Sequence, residues 1–206
     1  MFNMEKNMLV FIGGASGTGK TTIANRLKEI CDAVVCKRNR LFFEIAELQN
    51  IPREQVYNIV SPSDVDKLFV DRCINNNVVL SDVHYAIQLE RDRRHGTGGK
   101  SIESSEEYVR TISDELLSML EENNITVFAI LLSVDPNELF MRQKIRQDRE
   151  GKSARACNID DILRQILAEE KAWNELVGSN IIAKKIDCNG KSEKIILTEI
   201  LKEITR

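Results

Sequence analysis

A glycine-rich segment at residues 13–22, GGASGTGKTT, is the clearest chemical pattern in the chain. It follows the apolar run Met8 to Ile12 and precedes an amphipathic stretch, the context that the pattern GxxxxGK[ST] needs for binding phosphate. Glycines let the backbone curl so that amides point inward, and a helix start adds unpaired amides and a positive dipole end. The segment therefore predicts a polyphosphate cradle made of Gly14, Ala15, Ser16, Gly17, Thr18, Gly19, Lys20, Thr21 and Thr22.

Three side chains would complete this site. Lys20 would reach the outer phosphates as a point charge, and Thr21 would offer its hydroxyl to magnesium. The apolar run Val78 to Ser81 ends in Asp82, a carboxylate that would hold magnesium partly through water. The sequence thus predicts ATP and Mg²⁺ as cofactors. His84, two residues further on, would either contact an acceptor or serve as an ordinary packing residue.

Basic side chains are concentrated between residues 142 and 155, where six basic residues face two acidic ones. Phosphoryl transfer spreads negative charge over oxygens that guanidinium groups bind in a bidentate manner, so one interpretation of this segment is an arginine-bearing lid. The other interpretation is a charged helix end exposed to solvent. Arg142 and Arg146 are four residues apart and would share a helix face. Two further groups could hold an acceptor phosphate: Lys37, Arg38 and Arg40 after the second apolar run, and Arg91, Arg93, Arg94 and Lys100 after His84.

The elements that must position these residues alternate along the chain. Five apolar runs predict buried strands at Met8 to Ile12, Ala33 to Cys36, Val78 to Ser81, Thr126 to Val134 and Ile181 to Asp187. Helical spacing separates them, as in Ile23, Leu27 and Ile30, in Leu41, Ile45 and Leu48, and in Val109, Ile112, Leu116 and Leu120. Alternation of this kind predicts a three-layer α/β fold, a five-stranded parallel sheet flanked by helices, with ligands at the carboxyl ends of the strands.

Helix ends are predicted from capping residues and glycine. Ser63 with Asp66 and Ser104 with Glu107 have the spacing of capping boxes, and Asp135 before Pro136 is a predicted N-cap. Later helices are expected at Ile159 to Val177, before Gly178, and at Ile196 to Leu201. Two stretches without apolar periodicity, Glu90 to Glu103 and Gln147 to Asn158, are typical of lids or binding loops.

Composition excludes several classes of protein. The 206 residues suit one domain, and a net charge of -3 gives no overall attraction to nucleic acid or to an anionic membrane. The five cysteines show no metal-ligand spacing, and the odd number argues against a closed disulfide framework, so we expect a cytoplasmic protein. No apolar stretch approaches the length of a membrane span. A monomer and a small homo-oligomer are both compatible with this composition.

The order of these motifs resembles that of the nucleoside monophosphate kinases, and most closely the archaeal type of adenylate kinase. The resemblance runs through GGASGTGKTT, VVLSDVH, NELFMRQKIRQDREGKSARACNI and the long helix before Gly178, and it reaches Asn189 and Gly190. It implies a single P-loop kinase domain over residues 1–206, with a monophosphate-binding region at about 37–75, a basic loop at about 88–103 and a short arginine-rich lid at about 147–158.

The resemblance also implies roles for individual residues. Arg142 would pack on the adenine, the backbone of Asn189 and Gly190 would touch the edge of the base, and Arg149 and Arg155 would lie on the phosphates. Two segments depart from the family pattern. Residues 37–40 read KRNR where the family has a turn of small residues, and the loop of residues 88–101 is more basic than the archaeal pattern.

The leading hypothesis is Mg²⁺-dependent transfer of the ATP γ-phosphate to a nucleoside monophosphate, with AMP as the first guess. Such an acceptor is already largely dianionic near neutral pH, so positioning and charge neutralisation suffice. Two alternatives remain open: a kinase of a small hydroxylated metabolite, with Asp82 as the base, and a nucleotide-gated ATPase switch or scaffold. The catalytic candidates are Lys20, Asp82, Arg142, Arg149 and Arg155; Arg146 would join the nucleotide site, and the acceptor candidates are Arg38, Arg40, His84, Arg93 and Arg94.

Overall fold

The computed structural model describes residues 7–81, 114–150, 158–177 and 181–205. Five strands run over Met8–Gly13 (β1), Val34–Val35 (β2), Val78–Ser81 (β3), Thr126–Ser133 (β4) and Ile182–Asp187 (β5). The helices cover Lys20–Cys31 (α1), Arg38–Leu48 (α2), Val56–Ile59 (α3), Pro62–Ile74 (α4), 114–122 (α5), Pro136–Glu150 (α6), Ile159–Val177 (α7) and Glu193–Ile204 (α8), and a 3₁₀ turn at Arg53–Gln55 precedes α3.

All five strands are parallel and lie in the order β2-β3-β1-β4-β5. β1 is central: Met8 pairs with Val78 of β3 on one side and with Thr126 of β4 on the other. After β1 the chain crosses over to β2 at one edge of the sheet, and β4 later pairs with the other side of β1. The strand order therefore changes direction at β1. The segment after β1 therefore lies at the point of a parallel sheet where ligands are most often bound.

The sheet separates two apolar clusters. Alternate residues of β1 point to opposite faces, so Val10 and Ile12 pack with Ile23 and Leu27 of α1, while Phe11 packs on the other face. The first face is covered by α1, α7 and α8 through buried residues that include Ile162, Ile196, Leu197 and Ile200. The second is covered by α2, α4 and α5 through Leu41, Ile45, Val65, Phe69, Leu116 and Leu120. The result is a helix–sheet–helix sandwich.

The structure confirms the predicted fold class and all five strands. Only strand ends differ, since β2 is limited to Val34–Val35 and β4 ends at Ser133. α7 occupies the predicted range, and Asp135 caps α6: its carboxylate accepts the amides of Asn137 at 2.9 Å and Glu138 at 3.2 Å. Among the described helices, none combines the length and apolar character that crossing a membrane requires.

One predicted cap is wrong, and two predicted apolar positions are exposed. α4 begins at Pro62 and is capped by Ser61, whose hydroxyl accepts the amide of Ser63 at 3.1 Å, so the predicted Ser63–Asp66 capping box does not start this helix. Proline is favoured at the first helical position because it has no backbone N–H that needs a partner, so the helix starts at Pro62, before Ser63. Ile30 is 44% exposed and Leu48 is 78% exposed, and each lies in the last turn of its helix.

Several predicted features lie outside the described residues. These are the Ser104–Glu107 cap, the basic loop at about 88–103, the central part of the lid, and the candidates Asp82, His84, Arg93, Arg94 and Arg155. The side chain of Arg38 is also outside the described part of the chain.

Candidate functional site

The glycine-rich segment forms a tight loop between the carboxyl end of β1 and the first turn of α1. Gly14, Gly17 and Gly19 have φ values of 133°, 95° and 97°, in a region where side chains other than hydrogen are strained. At Gly14 space is also lacking, because a Cβ atom would lie 2.5 Å from the carbonyl oxygen of Leu132 and 2.9 Å from Thr18 Oγ1. The glycine spacing read from the sequence therefore has a steric cause.

The ammonium group of Lys20 folds back over this loop. Its Nζ donates to the carbonyl oxygens of Gly14 at 2.5 Å and Ala15 at 2.9 Å, and Thr18 Oγ1 also donates to Ala15 O at 3.0 Å. Gly19 occupies the N-cap position of α1 and has no side chain to bond the first amides of the helix. The loop thus presents a cation and uncapped helix amides at one place, an arrangement suited to an anion.

Helix α6 packs directly on the tip of the loop. Leu139 Cδ1 would be 3.1 Å from a Cβ atom at Gly17, which leaves room for nothing larger than glycine without a shift. One turn further along α6, Gln143 Nε2 donates to the carbonyl oxygen of Ser16 at 2.6 Å. The helix that carries Arg142, Arg146 and Arg149 is therefore held against the loop by specific contacts.

Helix α7 supports the same loop from beside β4. Glu169, only 6% exposed, accepts the amide of Gly14 through Oε2 at 3.4 Å. Gln165, on the same face of α7, accepts from Gln143 Nε2 at 3.4 Å. A small recess next to the loop is lined by Gly14, Thr18, Leu132, Ile166 and Glu169. Buried polar side chains from two helices thus hold the outer side of the loop.

The turn after β5 lies beside the start of α6. Asn189 Oδ1 accepts the backbone amide of Asp135 at 2.7 Å, and Asp187 accepts both the backbone amide and Nδ2 of Asn189 at 3.0 and 2.6 Å. Gly190 follows with a φ of 61°, so the turn is well defined. These bonds place Asn189 and Gly190 next to the helix of Arg142.

Arg142 is half-buried and forms an ion pair with Glu138, one turn earlier in α6. It is also close to the turn after β5: burial raises the pKa of the Cys188 thiol, Asp187 raises it further, and Lys191 and the Arg142 guanidinium oppose that shift. The turn that carries Asn189 and Gly190 therefore bonds to the start of the helix on which Arg142 lies. Arg146 and Arg149 are exposed further along α6.

The first two acceptor candidates, Arg38 and Arg40, belong to α2, which covers the face of the sheet opposite to α1. Arg40 is exposed in the first turn of α2, the helix that follows β2, so it is near the carboxyl edge of the sheet. In the same helix, Phe42 and Phe43 pack against Tyr57 with ring centroids 5.4 and 5.6 Å apart, and the Arg53 guanidinium lies 5.3 Å from the centre of the Phe43 ring. This side offers aromatic surface together with positive charge.

Sequence reasoning missed Gln143, Gln165 and Glu169. A weak indication was present, because Leu139 and Gln143 are one helical turn apart, and Ile162, Gln165 and Glu169 share a face of α7 that is otherwise apolar. A polar residue within an apolar helical stripe has to find a buried partner. For Gln143 and Glu169, the sequence does not identify that partner as the backbone of a loop 127 and 155 residues earlier.

No protein-family model matches the chain, and no curated protein matches it in sequence. Solved structures do match. The Bacillus subtilis YorR protein in complex with phosphorylated GDP is 14% identical, with a TM-score of 0.59 over 94% of each chain. A tunicamycin resistance protein from Deinococcus radiodurans is 16% identical, with a TM-score of 0.53 over 95% of this chain and 94% of that one.

A gluconokinase from Sinorhizobium meliloti 1021 is 15% identical, with a TM-score of 0.49 over 100% of this chain and 93% of that one. At these identities the likeness is one of fold. The chain shares a three-layer α/β fold, built on a five-stranded parallel sheet, with the YorR and tunicamycin resistance structures.

Proposed function

We propose that this chain is a phosphotransferase that moves the γ-phosphate of ATP to a nucleoside monophosphate, with AMP as the first candidate. The observation that carries the proposal is the packing of the arginine-bearing helix α6 on the phosphate loop, through Leu139 at Gly17 and Gln143 at Ser16. A loop that only binds nucleotide needs no arginine helix fixed to its tip. A phosphoryl-transfer site does, because charge develops on the transferred group.

The nucleotide would lie along the loop and the start of α6. Lys20 and the amides of residues 14–22 would hold the phosphates, with Arg146 nearby, and Arg142 would pack on the base beside the Asn189–Gly190 turn. The ion pair of Arg142 with Glu138 supports this role, since it holds the guanidinium along the helix surface next to that turn. The YorR structure, which shares the fold, holds a phosphorylated GDP.

Magnesium fits the donor groups that this chain offers. Thr21 is exposed in the first turn of α1 next to Lys20, and its hydroxyl is a hard oxygen donor of the kind that Mg²⁺ takes in P-loop sites. Mg²⁺ usually keeps several waters and binds few protein groups, so Thr21 together with Asp82 would suffice. When bound, the ion neutralises charge on the β- and γ-phosphates.

The acceptor would approach from the α2 side of the carboxyl edge. Arg40 supports this placement, and Arg38, His84, Arg93 and Arg94 are the further candidates. A monophosphate acceptor needs no strong base, so the protein's contribution is to position the two phosphates, exclude water and neutralise charge through Lys20, Arg149 and Arg155. We propose that residues 1–206 act as one kinase domain with a short lid at about 147–158.

The test is ADP release from MgATP in the presence of AMP, CMP, UMP, GMP, dTMP or small hydroxylated metabolites, with Lys20→Ala as the inactive control. The proposal predicts that one monophosphate raises ADP formation well above the rate without acceptor. Stimulation by a hydroxylated metabolite alone would instead identify a metabolite kinase, with Asp82 as the base. ATP binding with slow turnover that no acceptor increases would refute the kinase proposal and favour a nucleotide-gated switch.

A further inference from the structure

Gln143 is a buried side chain that bonds to the backbone of the glycine-rich loop. It is 6% exposed, and its Nε2 donates to the carbonyl oxygen of Ser16 at the tip of the phosphate loop, at 2.6 Å. Arg142 precedes it in α6, yet the sequence pattern gave Gln143 no role. A short bond from a buried amide to a loop carbonyl fixes the orientation of one peptide group.

The orientation of the Ser16 carbonyl determines that of the next amide. The peptide between Ser16 and Gly17 is trans, as are all peptide bonds of the described residues, so its C=O and N–H point in opposite directions. Since the carbonyl oxygen faces α6, the Gly17 N–H faces away from α6. That amide makes no hydrogen bond to any described residue, so it is a donor available to a ligand.

The oxygen of the Gln143 side-chain amide indicates that the bond from Nε2 decides the orientation of the amide. Gln143 Oε1 is buried and has no hydrogen-bond partner in the described part of the chain. Rotating the amide by 180° would place this oxygen against the Ser16 carbonyl oxygen, where two acceptors repel each other. Leaving the buried Gln143 Oε1 without a partner costs free energy. The hydrogen bond to Ser16 therefore has to stabilise the structure by more than that cost.

We propose that Gln143 is a positioning residue for phosphate binding: it holds the Ser16–Gly17 peptide so that the Gly17 amide is presented to the nucleotide phosphates. The same bond couples the arginine-bearing helix to the loop, so that α6 and the Gly17 donor are aligned together. The inference rests on the proposed binding of a polyphosphate by the loop. It does not depend on the identity of the acceptor.

Two substitutions separate the donor from the volume of the side chain. Gln143→Met keeps the length and removes the donor, and we expect the dissociation constant for ADP to rise about three- to tenfold, the effect of one lost hydrogen bond. Gln143→Glu at pH 8 places a carboxylate against a carbonyl oxygen, so a larger loss is expected. As the pH is lowered the introduced carboxyl becomes protonated, its O–H can donate to Ser16, and affinity relative to wild type at the same pH should recover.

A matched control distinguishes positioning from general destabilisation. Leu120 is a buried apolar residue of α5 on the opposite face of the sheet, so Leu120→Ala should lower the melting temperature while leaving ADP affinity unchanged. Spectra of ¹⁵N-glycine-labelled protein provide a direct readout, because the chain has only 10 glycines. ADP should shift the Gly17 amide proton downfield in wild type, and less so in Gln143→Met.

The outcomes are distinguishable. Wild-type protein that binds ADP, together with a weakened Gln143→Met and a pH-dependent recovery of Gln143→Glu, supports the inference. If wild type and both variants bind ADP equally, or if the Gly17 amide does not respond to ADP in wild type, the positioning role is refuted while phosphate binding stands. If wild type does not bind ADP at all, the proposed function itself fails and the inference fails with it.

Discussion

The two sides of the carboxyl edge are built differently. Around the phosphate loop, buried polar side chains of α6 and α7 bond to backbone atoms, as Gln143 does to Ser16 and Glu169 to Gly14. On the α2 side, which we propose as the acceptor side, α2 to α4 pack through apolar and aromatic residues, and their charged groups form surface contacts such as the Arg72–Glu44 ion pair and Arg53 on Phe43. Backbone geometry is therefore fixed on the first side, whereas the second leaves its charged residues free to vary.

This difference explains what each side can specify. Loop amides act only if the backbone keeps one conformation, so substitutions that touch the loop should have large effects. Surface ion pairs contribute little to stability, so basic residues near α2 can be exchanged to suit an acceptor with little cost to the fold. The loop side is thus the more predictable part of the molecule, and under the proposed function the α2 side would decide acceptor specificity.

The largest expected effect on folding is that of a substitution at Gly14, and Gly19 of the same loop provides the comparison. Gly14→Ala combines a φ of 133° with a Cβ only 2.5 Å from Leu132 O, so we expect it to lower the free energy of unfolding by about 3 kcal/mol or more. Gly19→Ala has a φ of 97° but nothing within 4 Å of the added Cβ, and should cost about 1–2 kcal/mol. Urea denaturation measures both, and equal losses would show that the contact with β4 does not constrain the loop.

Arg142→Ala should weaken ATP binding about tenfold, because a guanidinium that packs on the base contributes roughly 1–2 kcal/mol when partly desolvated. Tripolyphosphate, which has no base, should bind almost as before. The matched control is Arg164→Ala in α7, since Arg164 forms an equivalent ion pair with Asp161. Equal losses for ATP and tripolyphosphate would place Arg142 on the phosphates and not on the base.

The apolar packing of the acceptor side predicts a dependence of stability on pH. Burial, together with a smaller contribution from Cys36, raises the pKa of Cys73 from 9.0 to about 12, so the native state favours the protonated thiol. The unfolded state releases this proton above pH 9, so the stabilisation is complete below pH 9 and is lost as the pH rises toward 12. Between pH 8 and 10 this thiol should account for a loss of about 1.4 kcal/mol.

Urea denaturation of the reduced protein at pH 8 and pH 10 tests this expectation. Cys73→Ala will be less stable at both values, but its stability should fall less between them than that of wild type. An identical decrease in the two proteins would mean that Cys73 does not carry the dependence on pH.

The smallest expected effect concerns Arg40. Arg40→Ala should raise the KM for the acceptor about threefold to fivefold and leave the KM for ATP unchanged, since an exposed charge contributes up to about 1 kcal/mol. Arg26→Ala is the control: Arg26 is exposed on α1 and pairs with Glu29 and Glu193. A change in the KM for ATP instead of the acceptor would contradict the separation of the two sides.

The sequence predicted the strands and the position of the glycine-rich loop because both depend on local patterns. Branched apolar runs form buried strands, and the conformations of Gly14, Gly17 and Gly19 are required by the loop itself. The helical spacing of Leu41, Ile45 and Leu48 identified the buried face of α2 but not where that burial ends, because Leu48, the last residue of the helix, is exposed. The contacts of Gln143 and Glu169 join distant parts of the chain, and no local pattern encodes them.

The central claim is that residues 14–22 bind the phosphates of ATP, and calorimetric titration of MgATP into wild type and Lys20→Ala tests it most directly. Lys28→Ala, in the last turn of the same helix, is the control for loss of a positive charge. We predict saturable binding to wild type and to Lys28→Ala, and binding at least about tenfold weaker to Lys20→Ala, because hydrogen bonds between charged groups contribute about 1.5–3 kcal/mol. Equal affinity in all three proteins, or no binding to wild type, would contradict the account.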